Sequence, residues 1–141
     1  MKADTLLPPV MIVDDNDDDS TLLVHQLKAA GVKNPLLQFR NGGDAFVFLK
    51  QFCTGERTNA QLPVVMFLDI NMDGLSGFDV LVWARKQTPL DGMKIYMLSG
   101  ANEVWDAQIA AKLGANDFLE KFPEPAAFRE LLSPVCALPA K

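Results

Sequence analysis

A chain of 141 residues, 49% hydrophobic and 22% charged, holds enough apolar material for one domain with a substantial core. Its net charge of −5, with a pI near 4.7, argues against sequence-independent binding to nucleic acid. No apolar run approaches the roughly 20 residues that cross a bilayer. Residues 1–9 lack the zones of a secretory signal, so the expected setting is cytoplasmic, with no membrane partner and with Cys53 and Cys136 as free thiols.

In chain order, Val10-Met11-Ile12-Val13 is an apolar run that ends in Asp14 and Asp15. Asn16 to Ser20 then carries helix-starting chemistry. Asp17, Asp18 and Asp19 suit the positive end of a helix dipole, and one of them or Asn16 can serve as N-cap. Leu23, Leu27 and Ala30 recur at helical spacing, and Gly31 is a natural stop. Leu36 to Phe39 reads as a short strand, followed by a turn at Asn41-Gly42-Gly43 and a helical stripe of Ala45, Phe48, Leu49 and Phe52.

Residues 53–62 are polar and aperiodic, hence a loop. Pro63 to Leu68 is a fully apolar run, suited to a strand buried on both faces, and it ends abruptly in Asp69. Gly74 to Gly77 reads as a loop, Phe78 to Gln87 as a helix, and Lys94 to Leu98 as a strand ending in Ser99-Gly100. Asn102 to Leu113 is helical and Asp117 to Glu120 is a strand ending in Lys121. A last helix runs from about Pro125 to Leu132.

Five strands alternating with five helices predict an α/β fold, with a parallel sheet covered on both faces. Four of the strands end in Asp14/Asp15, Asp69, Ser99 and Lys121, and in a parallel sheet those ends share one edge, where such sheets bind ligands. Clustered carboxylates without His or Cys at ligand spacing favour a hard cation, Mg²⁺ best of all. A carboxylate beside it can act as a nucleophile toward phosphoryl groups, with Lys121 as a point charge and Ser99 as a hydroxyl donor for phosphate oxygens.

On these residues the chain resembles a response-regulator receiver domain of two-component signalling. The resemblance rests on Val13-Asp14-Asp15, Asp69-Ile70-Asn71-Met72 with Gly74 and Gly77, Ser99-Gly100, Gly114-Ala115-Asn116-Asp117-Phe118 and Lys121. It implies a flavodoxin-like, doubly wound five-stranded sheet of order 2-1-3-4-5, flanked by five helices. It also implies one receiver domain over residues 1–141, with a core of about 9–134 and no output domain. Asp69 would be the phosphoacceptor. Asp15 would ligate Mg²⁺ (or Mn²⁺) directly, together with Asp69, with Asp14 assisting and the backbone carbonyl of Asn71 as a further ligand. Ser99 and Phe118 resemble the switch pair, and Lys121 the phosphate-binding lysine.

The implied function is a single-domain response regulator that takes a phosphoryl group from a sensor histidine kinase. It would then signal to a protein target or pass the group to a histidine phosphotransfer protein. The Gly-Asp-Ala-Phe helix, the loop after it and Gly-Ala-Asn-Asp-Phe look similar to receivers paired with phytochrome-type kinases. The face formed by the fourth helix, fifth strand and fifth helix would be the binding surface, including for a homodimer. Such a domain assists its own phosphorylation and dephosphorylation but is not a turnover enzyme.

Two positions depart from the family pattern. Asp73 stands where the family has Pro, and an extra acid there would either tighten the cation or disfavour phosphate. Phe122 stands where the family has a cis proline. Because a cis bond before a non-proline residue costs about 3–4 kcal/mol, a trans Lys121–Phe122 bond is expected. Two alternatives compete with the leading function: a degenerate receiver that binds a partner without phosphorylation, and an Asp-nucleophile phosphatase. The second lacks its usual acid, since Asn71 stands two residues after Asp69. His25 reads as a surface or boundary residue, and Asp17 to Asp19 as a solvated helix start. Trp83 and Trp105 belong either to a binding surface or to partial burial under loops.

Overall fold

The computed structural model describes residues 7–57, 62–70, 72, 74, 76–100, 104–134 and 136, except for the side chains of residues 104–106. The elements run β1 (Val10–Val13), α1 (Asp17–Ala29), β2 (Leu36–Phe39), α2 (Gly42–Cys53), β3 (Val65–Asp69), α3 (Gly77–Arg85), a 3₁₀ turn (Thr88–Leu90), β4 (Lys94–Ser99), α4 (Val104–Lys112), β5 (Asp117–Glu120) and α5 (Pro125–Leu132). All strand pairs are parallel, in the order β2-β1-β3-β4-β5. This is the flavodoxin-like arrangement expected from the resemblance.

Successive strand residues point to opposite faces, so one strand feeds two cores. On one face Met11, Val13, Met66, Leu68, Ile95 and Met97 pack with Leu49 of α2 and Leu81 of α3. On the other, Val10, Ile12, Phe67, Tyr96 and Leu98 pack with Leu23 and Leu27 of α1 and with Phe128 and Leu132 of α5. Phe67 and Phe128 meet edge to face at 5.6 Å. This double burial explains why Val65 to Leu68 carries no polar residue until Asp69. Among the described residues no helix is long and apolar enough to cross a membrane.

Asn16 is the N-cap of α1, its Oδ1 accepting from the Asp19 amide at 2.9 Å. α3 starts at Gly77 and stops at Arg85, two residues earlier than the expected end at Gln87, and β4 extends to include Ser99. Trp83 is half-buried, its ring 4.5 Å from that of Phe46 on α2, so partial burial rather than an open aromatic face is its environment. The Trp105 side chain lies outside the described residues. His25 is exposed on α1, and both cysteines are free thiols.

One expectation is overturned. The Lys121–Phe122 peptide bond is cis, and the Phe122–Pro123 bond is not. The expectation rested on the intrinsic preference of the bond alone. Tertiary placement overrides it: Lys121 turns its ammonium back to the ends of β1 and β3, while Phe122 packs against the core shared by α1 and α5.

Candidate functional site

The strand register delivers the acids. Val13 of β1 lies opposite Leu68 of β3, so Asp14 and Asp69 emerge side by side at the C-terminal edge. Both are buried, whereas Asp15, one residue on, is exposed. Carboxylate oxygens of Asp14, Asp15 and Asp69 all lie within 4.8 Å of one another. The end of β3 is held by α3. Gly77 donates its N–H to the Ile70 carbonyl at 3.0 Å, and a capping box between Ser76 and Asp79 fixes the first turn of that helix.

Lys121 follows β5 and is anchored by its backbone N–H to the Ser99 carbonyl at 2.8 Å. Its ammonium reaches Asp14 Oδ2 at 2.9 Å, Asp19 Oδ2 at 3.0 Å and Asp69 Oδ1 at 3.1 Å. Ser99 is buried at the end of β4, where it pairs with Glu120 in the ladder. Phe118, on the neighbouring β5, is half-buried against the α2/α3 core. Asn71 and Asp73 lie outside the described residues.

Burial, with the Asp14 charge next, pushes the Asp69 carboxyl up to about 6. Lys121 acts in the opposite direction, and Asp15 adds to the rise. For Lys121, burial alone would lower its pKa, but hydrogen bonds to Asp14 and Asp19 and the Asp69 charge raise it above the ordinary lysine value. One ammonium among three closely spaced acids leaves the cluster short of positive charge. That shortage and the all-oxygen donor set fit a hard divalent cation.

The residues read from strand ends therefore come together: Asp14, Asp15, Asp69 and Lys121 in one cluster, with Ser99 on the adjoining strand. The residue missed by sequence reasoning is Asp19. It is not merely part of a solvated helix start, because its carboxylate holds Lys121. No local signal marks it, since 102 positions separate the two residues.

Comparison with known proteins agrees with this geometry. The family model for the response regulator receiver domain matches residues 10–133. Response regulator Rcp1 of Synechocystis sp. is 28% identical over 121 residues, covering 84% of this chain and 81% of that protein. The solved Mn(2+)-bound form of Rcp1 superposes with a TM-score of 0.74 at 25% identity, covering 94% of this chain and 99% of that one. The bacteriophytochrome response regulator AtBRR gives a TM-score of 0.77 at 26% identity, covering 96% and 99%. A matched family model across most of the sheet and its acidic edge leaves one assignment: the chain belongs to the response regulator receiver domains, proteins of two-component signalling rather than turnover enzymes.

Proposed function

We propose that Asp69 is the phosphoacceptor and that the chain is a phosphorylation-driven switch. One observation carries this reading: the buried Asp69 carboxylate shares a cluster with Asp14, Asp15 and the Lys121 ammonium, 3.1 Å from its Oδ1. A carboxylate oxygen of Asp69 attacks the phosphorus of a kinase phosphohistidine. The P–N bond breaks, its electron pair returns to the imidazole, and an acyl phosphate forms. Transfer of this kind depends on positioning and on neutralising charge.

Asp14, Asp15 and Asp69 are the groups that would hold Mg²⁺ or Mn²⁺, with the Asn71 carbonyl proposed as a further ligand by family resemblance. The ion supplies charge neutralisation for the phosphoryl oxygens when bound. Lys121 contributes a charged N–H donor to a phosphoryl oxygen, and the Ser99 hydroxyl a neutral one. Phe118, on the strand beside Ser99, would report that change to the surface formed by α4, β5 and α5. A target, a histidine phosphotransfer protein or a second copy of the chain would bind there.

The donor in this reading is a histidine kinase. A phytochrome-type kinase is the first to test, because a relative of 26% identity is described as a bacteriophytochrome response regulator. Acetyl phosphate with Mg²⁺ should add one phosphoryl group to the wild type by intact-protein mass spectrometry, and none to Asp69→Asn. Labelling of Asp69→Asn to the same extent, or no labelling of the wild type by any donor, would overturn the assignment.

A further inference from the structure

An ammonium has three N–H donors and accepts nothing. Lys121 donates hydrogen bonds to Asp14 and Asp19, and its ammonium lies in ion-pair contact with Asp69. The Lys121 side chain is only 8% exposed, so water offers little alternative. The three carboxylates are not equivalent. Asp14 and Asp69 are 3% and 6% exposed, whereas Asp19 is 34% exposed and comes from α1 rather than from a strand end.

Asp19 is also held in place. Its amide donates to Asn16 Oδ1 at 2.9 Å, and the Asn16 amide donates to Asp14 Oδ1 at 2.9 Å. The cap of α1 thus ties the Asp19 backbone to the pocket, with its carboxylate on Lys121.

A phosphoryl group on Asp69 draws the Lys121 ammonium toward its oxygens, and so away from the two carboxylates, Asp14 and Asp19, that accept its hydrogen bonds. Releasing Asp14 would leave a carboxylate that water does not reach, with only the Asn16 amide and the cation as partners. Releasing Asp19 leaves a carboxylate that water reaches. We infer that Asp19 is a positioning residue that holds Lys121 in the unmodified protein and yields it when a phosphoryl group occupies Asp69. The inference rests on the phosphoacceptor reading above. Its consequence has a sign: Asp19 stabilises the unmodified state, so its removal favours the phosphorylated one.

The test is beryllofluoride affinity at saturating Mg²⁺, followed by amide NMR, in the wild type, Asp19→Asn, Asp19→Glu and Asp18→Asn. Asp19→Asn should bind about fivefold more tightly, the size expected for an ion pair with one partly exposed partner. Asp19→Glu, which keeps the charge, should lie closer to the wild type. Asp18→Asn removes the same charge from an exposed neighbour that makes no ion pair with Lys121, and should stay within about twofold. In metal-free protein, the Lys121 ammonium protons should exchange with solvent faster in Asp19→Asn than in the wild type.

Unchanged or weaker affinity in Asp19→Asn would overturn the inference. So would equal tightening in Asp18→Asn, which would assign the effect to bulk charge. A wild type that binds no beryllofluoride overturns the phosphoacceptor reading instead, so the two failures are distinguishable.

Discussion

Gly77 approaches the Asp69 backbone so closely that a Cβ at Gly77 would lie 2.2 Å from the Asp69 carbonyl oxygen. The first residue of α3 and the last residue of β3 are packed backbone to backbone. Gly77→Ala therefore pushes on the residue that carries the site. It should destabilise the protein by about 1–3 kcal/mol, the usual range for overpacking against atoms that cannot swing aside. Urea unfolding measures that loss, and an Mg²⁺ titration should show weaker binding because Asp69 moves with its backbone.

The Asp69 carboxyl titrates at about 6 in the metal-free fold, against an ordinary value of 3.8. Between these values the folded protein retains a proton that the unfolded chain has lost. Stability therefore falls as pH rises through this window, and the penalty is complete above it. Allowing for screening by nearby solvent, the change from this group is about 1–2 kcal/mol. Metal-free Asp69→Asn should show a flatter stability profile from pH 4 to 6.5 and exceed the wild type at pH 7. Added Mg²⁺ should raise the melting temperature of the wild type and narrow that difference.

Lys121 is the cation that the buried acids share, so Lys121→Met leaves Asp14 and Asp69 without a counter-charge. In metal-free protein at pH 7 it should cost about 2–4 kcal/mol. The loss should shrink toward pH 5 as Asp69 takes up a proton. Because the folded-state pKa of Lys121 is raised, the wild-type ion pair contributes fully below the ordinary lysine value and fades only as pH rises through the elevated one. Mg²⁺ should stabilise Lys121→Met more than it stabilises the wild type. Chemical denaturation with and without the ion checks both statements.

At the opposite edge of the sheet, Arg85 ties α3 to the starts of β4 and β5. It donates to the Gly114 carbonyl at 2.8 Å, the Met93 carbonyl at 3.0 Å and Asn116 Oδ1 at 2.7 Å. The same Asn116 oxygen accepts from the Ile95 amide at 2.8 Å. Arg85→Met should cost about 2–3 kcal/mol by leaving these acceptors short of donors. Mg²⁺ affinity should not change, because the acidic cluster lies at the other ends of the strands. Parallel urea and Mg²⁺ titrations separate the two effects.

Local chemistry made the sheet readable. A strand buried on both faces has to be apolar along its whole length, so Val65 to Leu68 declared both itself and the anomaly of Asp69. Alternation of strands with helices makes the sheet parallel, and that alone places Asp14, Asp15, Ser99 and Lys121 at one edge. Asn16 as the α1 cap was one of several acceptable choices, since Asp and Asn both accept from a helix N-terminus. The ring contact between Trp83 and Phe46 was not legible, because helical spacing gives the face of a side chain but not which residue of the neighbouring helix meets it.

Sequence by itself determined the α/β order, the buried strands and the identity of the acids at their ends. Those properties depend on residues close together in the chain. Tertiary structure alone decided that Lys121 meets three carboxylates, that one of them is Asp19, and that the Lys121–Phe122 bond is cis. The reason is physical. Each depends on where β5 ends relative to β1, β3 and α1, and that distance is set by packing across the sheet rather than by the preference of any neighbouring residue.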